Sequence, residues 1–236
     1  EHKPVRASNK EYYDNLLADI NEAISLLGNI DQSINPASGL TRPYIDRNAA
    51  YAIAARINLY AGNWADAVTA ATNALNGRPL ATSQTAFSGM YDQTDRGEII
   101  WNIQFESGQS GPTFLMYFST SNRAYFRVPP DIAVVGGGSG LIRSNDIRFN
   151  AFFTNITNSY ASGLVVTKYK GKQGLSDGIA NFPVFRSGEM YLIRAEAYAR
   201  QGGANEALAM ADLNTLKAAR ISGYVPESLT GAALIN

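Results

Sequence analysis

The chain has no cysteine and only one histidine, His2. The first absence removes disulfides, thiolate metal sites and cysteine nucleophiles. The second removes histidine-centred triads and multi-histidine metal sites, because a single imidazole cannot supply them. Charge is balanced, with 20 Lys plus Arg against 20 Asp plus Glu. A phosphate backbone is held by a basic excess or stripe, and no run of Lys or Arg provides one, so no nucleic-acid partner is expected. No apolar run approaches the roughly 18 residues that cross a bilayer. The run Gly136-Gly137-Gly138-Ser139-Gly140 lacks the Gly-Lys-Ser/Thr that would follow in a phosphate loop, and it reads as a connection. No cofactor is expected. The chain starts at Glu1 with neither an initiator Met nor a signal-peptide pattern, which reads as a processed or cloned piece.

What remains is 236 residues, 45% hydrophobic and 17% charged, enough for one sizeable core or two joined lobes. Helix signals dominate both ends. Ser8 and Glu11 form a capping box ahead of Tyr13, Leu16, Leu17, Ile20, Ile24 and Leu27 at helical spacing, so a helix is expected over 9–27 with Gly28 as its stop. Residues 28–45 read as a loop. Asp46 caps a second helix over 47–61, Gly62 stops it, and Asn63 caps a third over about 64–76. Ser187 is placed to cap a helix over 188–201, and Gly202-Gly203 turns the chain into a partner over 204–220.

The middle differs. Residues 98–105 alternate as a short strand, with Ile99, Trp101, Ile103 and Phe105 expected on one face and Ile100, Asn102 and Gln104 on the other. Residues 164–170 suggest a second extended piece. Residues 106–145, rich in Gly, Ser and aromatics, read as a long irregular excursion of the kind that carries function when ordered.

An internal repeat organises the helices. Sliding the chain by 140 residues aligns Tyr51, Ile53, Ala55, Gly62, Ala67 and Val68 with Tyr191, Ile193, Ala195, Gly202, Ala207 and Leu208. Alanine at a helix crossing lets two backbones approach while larger side chains fill the gaps, the device of tetratricopeptide-like hairpins. One hairpin cannot bury its own apolar face, so the two units should stack on each other or on a neighbouring helix. The expected fold class is mainly α: tetratricopeptide-like hairpins packed against an irregular, loop-rich lobe with a few short strands. A single domain over 1–236 is expected, with a helical scaffold at 8–80, an aromatic lobe at 81–186 and a second hairpin at 187–221.

Several phrases carry a family resemblance. They are the segments 17–27 and 48–64, Glu98-Ile-Ile-Trp-Asn-Ile-Gln-Phe105, Asn145-Asp-Ile-Arg-Phe149, and Lys168-Tyr169 followed by the segment 183–202, which opens Pro-Val-Phe-Arg-Ser-Gly-Glu-Met-Tyr. In order and spacing they resemble the SusD/RagB family over nearly the whole chain. The resemblance implies an outer-membrane, surface-exposed lipoprotein of Bacteroidetes-type bacteria. It further implies a non-enzymatic protein that caps a SusC-like TonB-dependent transporter and holds oligosaccharide, or another nutrient such as peptide, for import. The family's lipidated N-terminal cysteine, the region before the first helix and its closing Glu-Arg…Glu-Gly-Arg segment have no counterpart here. The chain therefore reads as a central portion of a longer protein, or a shortened member.

Sugars are held by rings stacking on their faces and by polar side chains at their hydroxyls. Tyr117, Asn122, Arg123 and Tyr125 offer both within one aromatic loop and are the first ligand-binding candidates, with Tyr91 in the polar turn 90–96 as a further one. No catalytic residue is assigned. Asp92, Asp95 and Glu98 lack calcium-loop spacing and read as a solvated acidic turn, so no metal is expected. Trp101 and Trp64 read as packing residues. Arg186, Glu189 and Glu196 read as ion-pair partners that fix the last hairpin. The alternative function is a tetratricopeptide-type scaffold that takes a peptide or protein partner in its groove. Exposed rings on the lobe would favour glycan, and rings along the groove would favour peptide.

Overall fold

The computed structural model describes residues 6–28, 43–106, 109, 127–134, 140–157, 162–172 and 178–235. Helices α1 (Asn9–Leu27), α2 (Arg47–Ala61) and α3 (Trp64–Ala74) come first, followed by α4 (Gln84–Asp92) and strand β1 (Ile99–Ile103). Then come α5 (Ile147–Phe152), β2 (Phe153–Thr157), β3 (Ser162–Val166) and β4 (Phe182–Arg186). The chain closes on α6 (Ser187–Gln201), α7 (Asn205–Arg220) and the short α8 (Ala232–Ile235).

The expected scaffold is present. Ser8 Oγ accepts from the Glu11 amide at 3.2 Å and Asp46 Oδ1 from the Ala49 amide at 2.9 Å, so both helices begin where their capping residues stand. Gly62 takes φ +79°, the left-handed turn that only glycine adopts without strain, and joins α2 to α3. Asn63 occupies the N-cap position of α3 without making a side-chain cap bond, and its amide nitrogen donates instead to Asn58 Oδ1. Asn48 closes the other end of the hairpin, its amide reaching the carbonyls of Ala74 at 3.1 Å and Asn76 at 2.7 Å.

The two hairpins stack directly: α1 packs on α2, α2 on α3, α3 on α6 and α6 on α7. Their shared core is built of small residues, with Ala49, Ala50, Ala55, Ala67, Ala71 and Ala197 fully buried. Close helix approach leaves no room there for extra methylenes. Ala55→Leu is expected to destabilise the fold by about 1–3 kcal/mol through overpacking, read as a lowered urea midpoint at unchanged slope.

Between the hairpins the chain makes two antiparallel strand pairs, β1 with β4 and β2 with β3. β4 runs straight into α6, so the β1–β4 pair sets where the second hairpin begins. The strand expected at 98–105 is there, but its faces are not the simple alternation. The β1–β4 register slips on both sides of Trp101, which buries Ile100 and Asn102 and leaves Ile103 exposed. A bulged strand rotates its side chains out of period two. Trp101 packs as expected, its indole N–H donating to the Pro43 carbonyl at 3.2 Å and its ring stacked on Phe185.

Five elements have no counterpart in the sequence reading: α4, α5, β2, β4 and α8. α4 begins at Ser83, whose hydroxyl accepts from the Ala86 amide. It carries Tyr91, so that residue is helical and not in a polar turn. α5 and β2 follow one another without a break at Phe152 and Phe153. Ser187, expected as a cap, is instead the first residue of α6, and its hydroxyl donates to the Arg78 carbonyl at 2.9 Å.

Candidate functional site

Tyr117, Asn122, Arg123 and Tyr125, together with the rest of the aromatic loop, lie outside the described residues. Tyr91 lies within them. Its ring is 4% exposed and meets Phe87, Phe152 and Tyr169 edge-on at centroid separations of 5.4–5.9 Å. Its hydroxyl is buried with no hydrogen-bond partner among the described residues. Burial pushes that phenol far above the usual tyrosine range, with the Arg186 charge opposing.

Tyr91 is the one ring of this cluster that lines a cavity of about 160 Å³, together with Ser88, Asp92, Asn150, Ala151, Thr154, Thr167, Lys168 and Lys170. Three elements bring these residues together: the end of α4, the α5–β2 junction and the stretch after β3. Lys168 Nζ rests over three rings, 4.7 Å from the centroid of Phe152, 5.1 Å from Tyr169 and 5.2 Å from Tyr91. Ring quadrupoles attract a cation but replace its hydration poorly. Burial, assisted by the nearby Arg186 charge, lowers the Lys168 amine to about 8.

That shift has a pH signature. Above the ordinary lysine value of 10.5, both folded and unfolded chains carry a neutral amine and folding bears no penalty. As pH falls from there to about 8, the unfolded chain binds a proton that the folded chain refuses, so stability is lost by at most about 1.4 kcal/mol per pH unit. Tyr91 and Tyr169, both raised by burial, act oppositely above about pH 10, because the unfolded chain then releases protons that the folded chain keeps. Denaturation midpoints should therefore rise from about pH 8 to about pH 10 and then fall. Lys168→Met should remove the rise. An unchanged profile in that variant would assign the rise to another group.

The acidic turn needs one correction. Asp92 and Asp95 are partly exposed, but Glu98 is 1% exposed and is not solvated. Its Oε2 binds Arg220 Nη2 at 2.5 Å and accepts from the Ala81 amide at 3.2 Å, while Oε1 meets Arg186 Nη1 at 3.4 Å. Arg220 also donates to the Ala81 carbonyl at 2.7 Å and lies over the Phe87 ring. One carboxylate thus joins the start of β1, the end of β4, the end of α7 and the residues before α4. The other family-like charges are ion-paired, but only Glu189 joins α6 to another element, since the Glu196 pair is exposed and lies within α6. Glu189 takes Arg56 through a forked pair at 2.7 and 2.8 Å, and Glu196 meets Arg200 one turn along α6. Among the described residues no three ligating side chains converge on a metal position.

With the geometry established, comparison with known proteins places the chain. Residues 116–225 match the SusD family. A SusD-like carbohydrate-binding protein from Bacteroides vulgatus aligns with a TM-score of 0.71 at 23% identity, over 97% of this chain and 47% of its own. A SusD superfamily protein from Bacteroides thetaiotaomicron aligns at 0.68 and 21%, over 94% and 50%. Surface glycan-binding protein A from Bacteroides uniformis aligns at 0.67 and 16%, over 99% and 55%. The chain spans about half the length of these structures. No curated protein matches it in sequence. The chain is SusD-like, by sequence over 116–225 and by fold across the alignments.

In the sequence, Lys168 stands out only as part of the phrase Lys168-Tyr169. The available signal was a cation placed between the apolar run Leu164-Val165-Val166 and a tyrosine.

Proposed function

We propose that this chain is part of a non-catalytic, cell-surface protein that holds oligosaccharide and delivers it to a SusC-like TonB-dependent transporter in the outer membrane. The match of residues 116–225 to the SusD family carries the reading, since that stretch contains the aromatic loop at 117–126 and runs through the second hairpin. The SusD-like structures with a sugar-binding description, from Bacteroides vulgatus and Bacteroides uniformis, support it through their shared fold. The protein sits at the outer face as a lipoprotein in this reading. No described helix is long and apolar enough to cross a membrane.

Tyr117, Asn122, Arg123 and Tyr125 remain the proposed ligand contacts of the loop, and Tyr91, which lines the polar cavity, is a further one. The test is a binding screen of the full-length protein against a panel of glycans, repeated with Tyr117→Ala and Tyr125→Ala. Loss of a stacking ring should weaken the best ligand about tenfold with unchanged thermal unfolding. Equal affinity in both variants would remove the loop from the site. Cleavage of any glycan by the pure protein would overturn the non-catalytic reading, and exclusive binding of peptides would replace it with the scaffold alternative.

A further inference from the structure

Among the described residues, the buried and half-buried cations that rest on aromatic rings follow a pattern, and Lys168 breaks it. Arg56 lies 4.1 Å from the Phe185 ring centroid and is neutralised by Glu189. Arg194 lies over Tyr191 and pairs with Asp212, while Arg186 and Arg220 lie over Phe87 and share Glu98. In each case a ring supports one side of the cation and a carboxylate satisfies its donors. Lys168 has three rings and, among the described residues, no hydrogen-bond acceptor and no carboxylate.

This ammonium, without a polar partner among the described residues, lines a cavity that holds a second cation, Lys170. Asp92 is the only carboxylate among the described lining residues, and its Oδ1 already accepts from the amide and hydroxyl of Thr94 at 3.1 and 2.7 Å. The remaining polar groups, Ser88, Asn150, Thr154 and Thr167, are neutral hydroxyl and amide groups of the kind that bind sugar hydroxyls. Thr154 and Thr167 lie with their hydroxyls 3.4 Å apart. At about 160 Å³ the space equals roughly five water volumes, which suits one sugar unit or its substituent and not a chain.

We propose that this cavity is a subsite for the anionic substituent of an acidic sugar, a carboxylate or a sulfate ester, which supplies the missing counter-charge to Lys168 with Lys170 beside it. The proposal rests on the glycan-binding reading and names the class of glycan. An anion there completes the ring-cation-carboxylate arrangement that the other buried and half-buried cations already possess. Neutral sugars leave Lys168 unpaired and therefore bind without this contribution.

The test uses the full-length protein and calorimetric titration with three probes of matched length: an oligogalacturonide, a sulfated galactan oligosaccharide and a neutral galactan oligosaccharide. Each is repeated with Lys168→Met and Lys170→Met. The wild type should favour an acidic probe over the neutral one by about ten- to a hundredfold. Lys168→Met should abolish that preference while keeping any neutral-probe affinity and a wild-type unfolding temperature or higher. Whether the carboxylate or the sulfate probe binds more tightly identifies the substituent. Equal binding of all three probes, with both variants unchanged, overturns the subsite and leaves the glycan reading standing. If no probe binds while a broader neutral panel does, the subsite also falls. Failure of every glycan overturns both.

Discussion

Glu98→Ala is expected to destabilise the protein by about 3–5 kcal/mol, the range for removing one partner of a buried ion pair. The carboxylate is fully buried, and Arg220, its partner at 2.5 Å, is itself only 6% exposed. Deleting the carboxylate strands a guanidinium that water cannot reach, and it also unsatisfies the Ala81 amide. The double variant Glu98→Ala/Arg220→Met should recover part of the loss, because the penalty comes from the stranded charge more than from the missing attraction. Equilibrium denaturation of the single and double variants measures both. A loss under about 1 kcal/mol for the single change would show that the pair behaves like an exposed one. Lys10–Asp14, 84% and 58% exposed, is the internal control, and its disruption should be nearly silent.

Gly97→Ala should be the other severe single change, at roughly 2–5 kcal/mol. Two independent terms contribute. The residue sits at φ +54°, where a Cβ costs about 1–2 kcal/mol. The added methyl would also overlap the Met90 side chain and lie 2.7 Å from the Ala86 carbonyl oxygen. Met90 can adjust, but the carbonyl belongs to helix α4 and cannot, so overpacking adds about 1–3 kcal/mol. Gly188→Ala makes a useful comparison: its Cβ would stand 2.9 Å from Glu98 Oε1 and 3.0 Å from Arg220 Nη2. Those are side-chain atoms at ordinary φ, so the same substitution should cost less there and should act through the ion pair. If thermal unfolding ranks the two the other way, the backbone argument at Gly97 is wrong.

The helical half of the fold was legible because its signals are local. Ser8, Asp46 and Gly62 each act within a few residues, and the hairpin repeat is a matter of spacing along one helix face. The strand at 99–103 was legible as a strand but not in its faces, because the register slips around Trp101 depend on where β4 lies, some eighty residues later. α4 was hidden by Gly89, a poor helix former in mid-segment, tolerated because the chain at Asp95 folds back close against it. The role of Glu98 is hidden in the sequence for a related reason. Its sequence neighbours are acidic and turn-like, while the arginines that define its role lie 88 and 122 residues away. The cavity beside Lys168 was illegible in the same way, since α4, the α5–β2 junction and the stretch after β3 meet only in three dimensions.

The direct stacking of α3 on α6 has a consequence for how this architecture can diversify. These two helices are neighbours in space but are separated by everything between Ala74 and Ser187. Closing so long a segment costs roughly 4 kcal/mol of chain entropy, yet doubling its length would add only about 0.6 kcal/mol more. Added or lost length in the intervening segment therefore costs little in chain entropy, and the constraint on it is its packing: the β1–β4 junction, the Glu98 clamp and the tight turn at Gly97. The segment between the hairpins can then change length while the helical frame stays the same, much as a socket accepts interchangeable fittings.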